Sequence, residues 1–221
     1  MRGERPILCL VTDRTRLGGG DRVRDLRARL SDIAREAVDA GVDLIQVRER
    51  GLEAARLVEL VADLVAIARG SATRIIVNDR IDVALTCDAG GVHLRSDSIA
   101  PAAARSLMPA GLLVGRSVHA LDEARAHAAS VEYLIAGTVY ATPSKPGRVA
   151  LLGESGLRQI AAAVRVPVLA IGGMTIERAA AIAATGASGI AGIRLFLPSA
   201  SSMSRTVASV RAQFDRVRPA C

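Results

Sequence analysis

The chain has 221 residues, half of them apolar, which is enough for one sizeable hydrophobic core and short for two ordinary domains. No apolar run reaches the roughly 18 to 20 residues of a membrane-spanning helix, and Ile7–Val11 is too brief for a signal peptide, so we expect a cytoplasmic protein without membrane partners. The formal charge of +7 comes from arginines scattered among acidic residues, and with two tyrosines, two phenylalanines and no tryptophan to stack on bases we expect no nucleic-acid partner.

Short apolar runs alternate along the chain with stretches in which apolar residues recur every three or four positions. The short runs predict strands at Ile7–Thr12, Leu44–Val47, Arg74–Val77, Val92–Leu94, Leu112–Val114, Tyr133–Ala136, Val168–Ile171 and Gly189–Ile193. The amphipathic stretches predict helices at Val23–Ala40, Leu52–Ala68, Pro101–Leu107, Leu121–Ala128, Leu157–Val164, Ile176–Ala184 and Arg205–Val217, and a short helical turn at Ile81–Leu85.

Eight strands separated by helices predict an α/β protein, a single (β/α)8 TIM-barrel domain over residues 1–221. The alternative is an open doubly wound sheet. Its G-x-G-x-x-G fingerprint is missing from the first β/α joint, and Gly18-Gly19-Gly20 lacks that spacing.

Polar residues follow strand after strand in this pattern. In a barrel the carboxyl ends of all strands meet at one rim, so these residues are predicted to surround one site. The segments are Thr12-Asp13, Gln46 to Arg50, Asn78-Asp79, Arg95 to Ser98, Arg116 to His119, Thr142 to Lys145, and Gly172 to Thr175. Each segment alone is weak evidence, because an Asn-Asp pair or a glycine pair is commonly only a turn.

Two of these segments are suited to phosphate. The alternation of Gln46, Arg48 and Arg50 can present amide and guanidinium donors to one side, although a solvated charge cluster with Glu49 is the alternative. Gly172-Gly173, before a helix expected to open at about Thr175, would offer bare backbone N–H groups to an anion. We therefore expect a small phosphate ester as substrate.

Three further residue types bear on chemistry. His119 is either a proton shuttle or a cap for the following helix, whereas His93, inside a strand, is expected in the core. Cys9 and Cys87 lie in apolar surroundings and are expected to be core residues too. Lys145 is the only lysine among 29 basic residues, either by chance or because a compact ammonium is needed there.

These motifs, in this order, resemble the thiamine phosphate synthase/TenI superfamily over nearly the whole chain. The matching segments include Gln46-Val47-Arg48-Glu49-Arg50, Val77-Asn78-Asp79-Arg80, Gly115-Arg116-Ser117-Val118-His119, Thr142-Pro143-Ser144-Lys145 and Ala170-Ile171-Gly172-Gly173. The resemblance implies one of two reactions. A synthase joins hydroxymethylpyrimidine diphosphate to thiazole phosphate with release of pyrophosphate and uses magnesium. A TenI-type tautomerase aromatises carboxythiazole phosphate by proton transfer and needs no cofactor.

For the synthase, the resemblance assigns the diphosphate to Gln46, Arg48, Arg50, Asn78, Thr142, Ser144 and Lys145. It assigns magnesium to Asp79 and to an aspartate after strand four. That aspartate aligns with Ser98, and Asp97 is one position away, within His93-Leu94-Arg95-Ser96-Asp97-Ser98 where the synthase has His-x-Gly-Gln-x-Asp. Arg50 also stands where the synthase usually has lysine.

For the tautomerase, the resemblance makes His119 the proton-transfer residue, with Ser117 binding substrate. In either reaction Gly172-Gly173 would hold the thiazole phosphate. Because the segments after strands two, four and five are closer to this branch, we expect a tautomerase first, a synthase second, and a non-catalytic thiazole-phosphate-binding regulator third. Arg194 replaces a small residue after strand eight and either adds a phosphate contact or crowds the site. A homodimer is a reasonable assembly for a small barrel.

Overall fold

The computed structural model describes residues 5–16, 23–142, 150–197 and 202–217. The strands are β1 Ile7–Val11, β2 Leu44–Val47, β3 Arg74–Asn78, β4 Gly91–Leu94, β5 Leu113–Val118, β6 Tyr133–Ala136, β7 Val168–Ala170 and β8 Gly189–Gly192. Each strand pairs in parallel with the next in the chain, and β8 pairs with β1. The sheet is therefore a closed eight-stranded barrel, and the open doubly wound sheet is excluded.

A helix follows every strand. The helices are α1 Val23–Asp39, α2 Ala54–Ala68, α3 Ile81–Thr86, α4 Pro101–Leu107, α5 Leu121–His127, α6 Gly153–Ala163, α7 Ala179–Ala184 and α8 Met203–Val217. Short 3₁₀ helices lie at Arg14–Arg16, Ala128–Ser130 and Arg194–Phe196. This is the (β/α)8 barrel that the alternating sequence pattern predicted.

The strands are buried on both faces, which separates the apolar side chains into two layers. Alternate residues such as Cys9, Ile76, Tyr133 and Leu169 fill the inside of the barrel. The intervening strand residues pack outward against the helices in a larger cluster. Because neither face meets water, the strands read as continuous apolar runs, which is why their positions were predictable.

Helix α2 shows how local sequence specifies an element. Its buried residues, Leu57, Leu60, Val61, Leu64 and Ala68, recur at intervals of three and four and form one apolar face. Glu53 precedes the helix, and its carboxylate accepts from the N–H groups of Ala55 and Arg56, which would otherwise lack partners. Helix α2 therefore begins two residues later than the apolar pattern alone predicted.

Two other elements depart from prediction in ways that affect the site. β5 was expected to end at Val114 but extends to Val118, so Ser117 lies within the strand and His119 directly follows it. Helix α7 was expected from Ile176 but begins at Ala179. Of the helices in the described part of the chain, none is both long and apolar enough to span a membrane.

Candidate active site

A cavity of about 900 Å³ opens at the carboxyl ends of the strands. Most of the residues predicted for the site border it, although they come from strands and loops far apart in the chain. Its lining includes Gln46, Arg48, Arg50, Asn78, Arg95, Asp97, Ser117, His119, Thr142, Gly172, Gly173, Arg178 and Arg194. The pattern of polar strand ends thus does converge on one rim.

The first group of donors follows β2 and β3. Gln46 is only 3% exposed, and its Nε2 finds no hydrogen-bond partner among the described residues. Arg48 is held from two sides, since its N–H donates to Thr12 Oγ1 at 3.0 Å and its Nη1 lies 3.5 Å from Asp13 Oδ2. A buried amide donor without a partner costs free energy unless a ligand accepts from it.

Arg50 stands beside other positive charges. Partial burial lowers the pKa of its guanidinium, and the charges of Arg48 and Arg95 lower that pKa further. Mutual repulsion of this kind is relieved when an anion binds among the guanidiniums. Asn78, the last residue of β3, completes this side of the cavity, which we name the β2–β3 donor group: Gln46, Arg48, Arg50 and Asn78.

Asp79 and the loop between β4 and α4 form a network of charges. Ser98 Oγ donates to Asp79 Oδ1, and Arg95 Nη1 lies 3.6 Å from Asp79 Oδ2. Arg95 also forms a two-point ion pair with Asp97, and hydrogen bonding to Arg95 lowers the pKa of the Asp97 carboxyl. Ser98 therefore faces Asp79, as its alignment with the metal aspartate implied, while Asp97 is engaged elsewhere.

This donor set does not fit a magnesium ion held by two carboxylates. Only Asp79 is aligned for it, and both of its oxygens already face Ser98 and Arg95. Across the ranges that the structure describes, no three His, Cys, Asp or Glu side chains are grouped closely enough to hold a metal ion by themselves. Magnesium is commonly held by one or two carboxylates together with substrate phosphates, and the second carboxylate that the synthase motif supplies is replaced here by Ser98.

Arg116 holds the β4–α4 loop in place. This arginine is 5% exposed, and its Nη1 and Nη2 donate to the carbonyl oxygens of Ile99 and Ser96, each at 2.9 Å. A guanidinium that donates two hydrogen bonds to one loop restricts the conformation of that loop. The sequence showed Arg116 only as one residue of a motif, because both of its partners lie in another loop.

His93 is a buried, hydrogen-bonded residue inside the barrel, as predicted. Its Nε2 lies 2.9 Å from Ser117 Oγ and its Nδ1 3.3 Å from the hydroxyl of Tyr133. Burial, assisted by the charge of Arg116, lowers the pKa of His93 to about 3, so the ring is neutral at physiological pH. Ser117, which borders the cavity, thereby has an oriented hydroxyl.

His119 borders the cavity just past β5. Its backbone N–H donates to Glu123 Oε2 at 2.8 Å, and its Nδ1 is hydrogen-bonded to the carbonyl oxygen of Gly137. A carbonyl can only accept, so Nδ1 carries the proton and Nε2 of the neutral ring is left as a base. Ala120, not His119, is the residue that precedes helix α5 in the capping position.

Gly172 and Gly173 form the opposite side of the cavity. Their φ angles are +103° and +64°, and a Cβ on Gly172 would lie 2.5 Å from Thr138 Cγ2. Within the described residues their N–H groups donate to no protein atom. The expectation of a helix opening at about Thr175 is wrong, because a turn occupies Ile176 to Arg178. The glycine backbone, at positive φ, leaves these N–H groups without a protein partner instead.

Arg178 supports this glycine joint and was missed from the sequence. Its Nη1 donates to the carbonyl of Gly173, and its guanidinium lies over the ring of Tyr140, 4.3 Å from the centroid. The Tyr140 hydroxyl donates to Glu154 at 2.6 Å, and burial together with this hydrogen bond raises its pKa to about 12. The signal for Arg178 was only its position five residues past the glycine pair.

The remaining predicted residues divide between the cavity and the undescribed part. Thr142 and Arg194 border the cavity, and Arg194 begins the 3₁₀ helix that follows β8. Ser144 and Lys145 lie outside the described residues. Their assignment to the diphosphate therefore stays a prediction.

The fold and the cavity together define a (β/α)8-barrel protein whose cavity is bordered by hydrogen-bond donors on two sides, from β2–β3 and from the segment after β7. The family model described as thiamine monophosphate synthase matches residues 8–196. The thiamine-phosphate synthase of Solidesulfovibrio magneticus is 44% identical to this chain over 164 residues, which cover 74% of each chain. The thiamine-phosphate synthase of Roseiflexus castenholzii is 34% identical over 212 residues, which cover 95% of this chain and 90% of the relative. A solved structure, thiamine phosphate pyrophosphorylase from Pyrococcus furiosus, matches with a TM-score of 0.78 at 31% identity, covering 96% of both chains.

The chain therefore belongs to the thiamine monophosphate synthase/TenI family, a family of thiamine-biosynthesis enzymes. Family membership explains why these polar residues occur together at the strand ends. Composition and periodicity alone predicted only that they meet at one rim.

Proposed function

We propose that the chain is a thiamine phosphate synthase, which joins hydroxymethylpyrimidine diphosphate to thiazole phosphate and releases pyrophosphate. The observation that supports this proposal most strongly is that one cavity has two separate groups of hydrogen-bond donors suited to anions. The β2–β3 donor group lies on one side, and Gly172 and Gly173 lie on the other, with β1 and β8 between β2 and β7 in the barrel. A coupling reaction needs two phosphorylated substrates at once, whereas a tautomerase needs a grip on only one.

In this reaction the bond between the pyrimidine methylene carbon and the diphosphate oxygen breaks, and the thiazole nitrogen forms the new bond to that carbon. The β2–β3 donor group stabilises the charge that develops on the leaving pyrophosphate. Gly172 and Gly173 would hold the thiazole phosphate so that its ring nitrogen faces the same carbon. The relatives, which are named as synthases, support this order of preference over the tautomerase that the sequence patterns favoured.

The experiment is a coupled assay of the purified protein with both substrates, following pyrophosphate release and thiamine phosphate formation, in EDTA and in saturating magnesium. Replacement of Arg50 by alanine is expected to lower kcat/KM by roughly a hundredfold, the effect of removing one donor to a developing charge. Arg56→Ala on the exposed surface of α2 is the matched control and is expected to keep full activity. Absence of pyrophosphate release under both conditions would refute the proposal.

The tautomerase is the second candidate, and the geometry of His119 favours it. The hydrogen bond from Nδ1 to Gly137 leaves Nε2 as a base at the cavity rim, and proton transfer by such a group is worth roughly 10²- to 10⁴-fold in rate. Aromatisation of carboxythiazole phosphate that is lost in His119→Gln and unaffected by EDTA would establish it. Binding of thiazole phosphate with neither turnover would instead support the regulatory alternative.

A further inference from the structure

The β4–α4 loop carries a guanidinium held between two carboxylates. Arg95 Nε donates to Asp97 Oδ1 at 2.8 Å, Nη2 pairs with Oδ2, and Nη1 lies 3.6 Å from Asp79 Oδ2. The backbone N–H of Arg95 donates to Ser98 Oγ at 2.9 Å, and that hydroxyl donates in turn to Asp79. Both oxygens of Asp79 therefore face groups of this loop.

The cavity meets the guanidinium and not the Asp79 carboxylate. Arg95, Ser96 and Asp97 border the cavity, whereas Asp79 and Ser98 are absent from its lining among the described residues. The Arg95 side chain is 41% exposed, so its outer donors can reach a ligand. An incoming anion therefore meets the ion-paired guanidinium of Arg95, beside Asp97, at the place where a carboxylate-held metal ion would otherwise lie.

Ser98, where the synthase motif has aspartate, also makes this place less suited to a divalent cation. A hydroxyl carries no charge, so one of the two charges that would attract a divalent cation is gone. Arg95, at a position where the synthase motif has glycine, lies against the remaining carboxylate. Arg95 is also close enough to Arg50 to lower the pKa of that guanidinium, so the two positive charges lie within electrostatic reach of one ligand.

We propose that Arg95 binds the diphosphate directly and supplies positive charge that a magnesium ion on a second carboxylate would otherwise bring. This inference rests on the proposed synthase function, because it takes a diphosphate as the ligand. A guanidinium suits this role, since its planar donors match two phosphate oxygens at once and remain charged at any physiological pH.

The test is calorimetric titration of the protein with inorganic pyrophosphate, in EDTA and in saturating magnesium. The unaltered protein is expected to bind in EDTA, with Kd changed by less than about threefold on adding magnesium. Arg95→Gln is expected to weaken binding in EDTA by about tenfold or more, the effect of losing a charge-assisted hydrogen bond. Arg80→Gln is the matched control, because Arg80 makes the same two-point pair with Asp82, two residues on, outside the cavity lining.

A double variant, Arg95→Gly with Ser98→Asp, tests the inference in the opposite sense. It restores the glycine and the aspartate of the synthase motif, and its pyrophosphate affinity is expected to rise about tenfold or more on adding magnesium. Pyrophosphate binding by the unaltered protein only in magnesium, or an Arg95→Gln variant that behaves like Arg80→Gln, would overturn the proposal. Because no turnover is measured, metal-independent binding without synthase activity would count against the proposed function alone.

Discussion

His93 shows how one buried residue can connect the core with the site. The ring is 2% exposed, stacks near Tyr133, and orients the hydroxyl of Ser117 at the cavity floor. A neutral histidine in such a place must keep one ring nitrogen as donor and the other as acceptor, so its two partners are complementary. The same residue therefore contributes to stability and to the alignment of a cavity side chain.

We predict that His93 makes the fold sensitive to mild acid. The pKa of His93 is about 3 in the folded chain, whereas the ordinary histidine value of 6.5 applies to the unfolded chain. Between these two pH values the unfolded state therefore binds a proton that the folded state does not. Its contribution to the free energy of unfolding is therefore fully present above pH 6.5 and is lost as the pH falls, by up to about 1.4 kcal/mol per pH unit.

His93→Gln removes this titration and keeps a polar side chain. Urea unfolding across the acid range should therefore show that the advantage of the unaltered protein over the variant shrinks as the pH falls. Subtracting the two curves cancels the carboxylates that both proteins share. Two curves that run parallel from neutral pH to the acid range would contradict the assignment.

The shape of the joint between β7 and α7 is determined by the backbone conformation of its glycines and not by the end of a helix. Gly172 at φ +103° lies against Thr138, and Gly173 accepts from Arg178. Any side chain at Gly172 would push this joint away from Thr138, in the segment after β6. The backbone anion site that we propose here would thus depend for its shape on two glycines and one arginine.

Gly172→Ala is predicted to weaken thiazole phosphate binding by more than about tenfold, since its Cβ would lie 2.5 Å from Thr138 Cγ2 and displace the N–H groups. Gly70→Ala is the matched control, because Gly70 also has a positive φ, +80°, but a Cβ there meets nothing within 4 Å. Each variant is expected to lose about 1 kcal/mol or more of stability from the strained φ, but Gly70→Ala should bind normally. Equal affinities in a binding titration would show that the joint does not hold the phosphate.

Apolar runs buried on both faces were predictable in position: β2 and β6 lie where the sequence placed them. The end of β5 was missed because Arg116 and Ser117 look like loop residues. They are tolerated in a strand because their partners, the β4–α4 loop and His93, come from elsewhere in the fold. Arg178 was missed for the same reason, and Arg95 was predicted only as part of a polar strand end, because their specific contacts lie with residues far away in the sequence or in other loops.

For the molecule as a whole, two ligands bound on opposite sides of one cavity should stabilise the folded barrel independently. Each ligand at a hundredfold excess over its Kd adds about 2.7 kcal/mol, which corresponds to roughly 5 to 10 °C in Tm for a chain of this size. We predict that the shifts produced by pyrophosphate and by thiazole phosphate add when both are present. A combined shift no larger than the greater single shift, in a thermal melt, would indicate one shared site.

The sheet closes where the first strand pairs with the last, and we call this pairing of β1 with β8 the seam of the barrel. Seven strand pairs join neighbours in the chain, but the register Ile7↔Gly189 joins the first strand to the last. Loop-closure entropy makes this the slowest pairing to form, and until it does β1 and β8 are open edges on which another chain could assemble. A Cβ on Gly189 would lie 1.9 Å from the carbonyl oxygen of Ile7, so this glycine keeps the seam able to close. Gly189, remote from the candidate site, thus lets the first and last strands come close enough to pair and remove these two open edges.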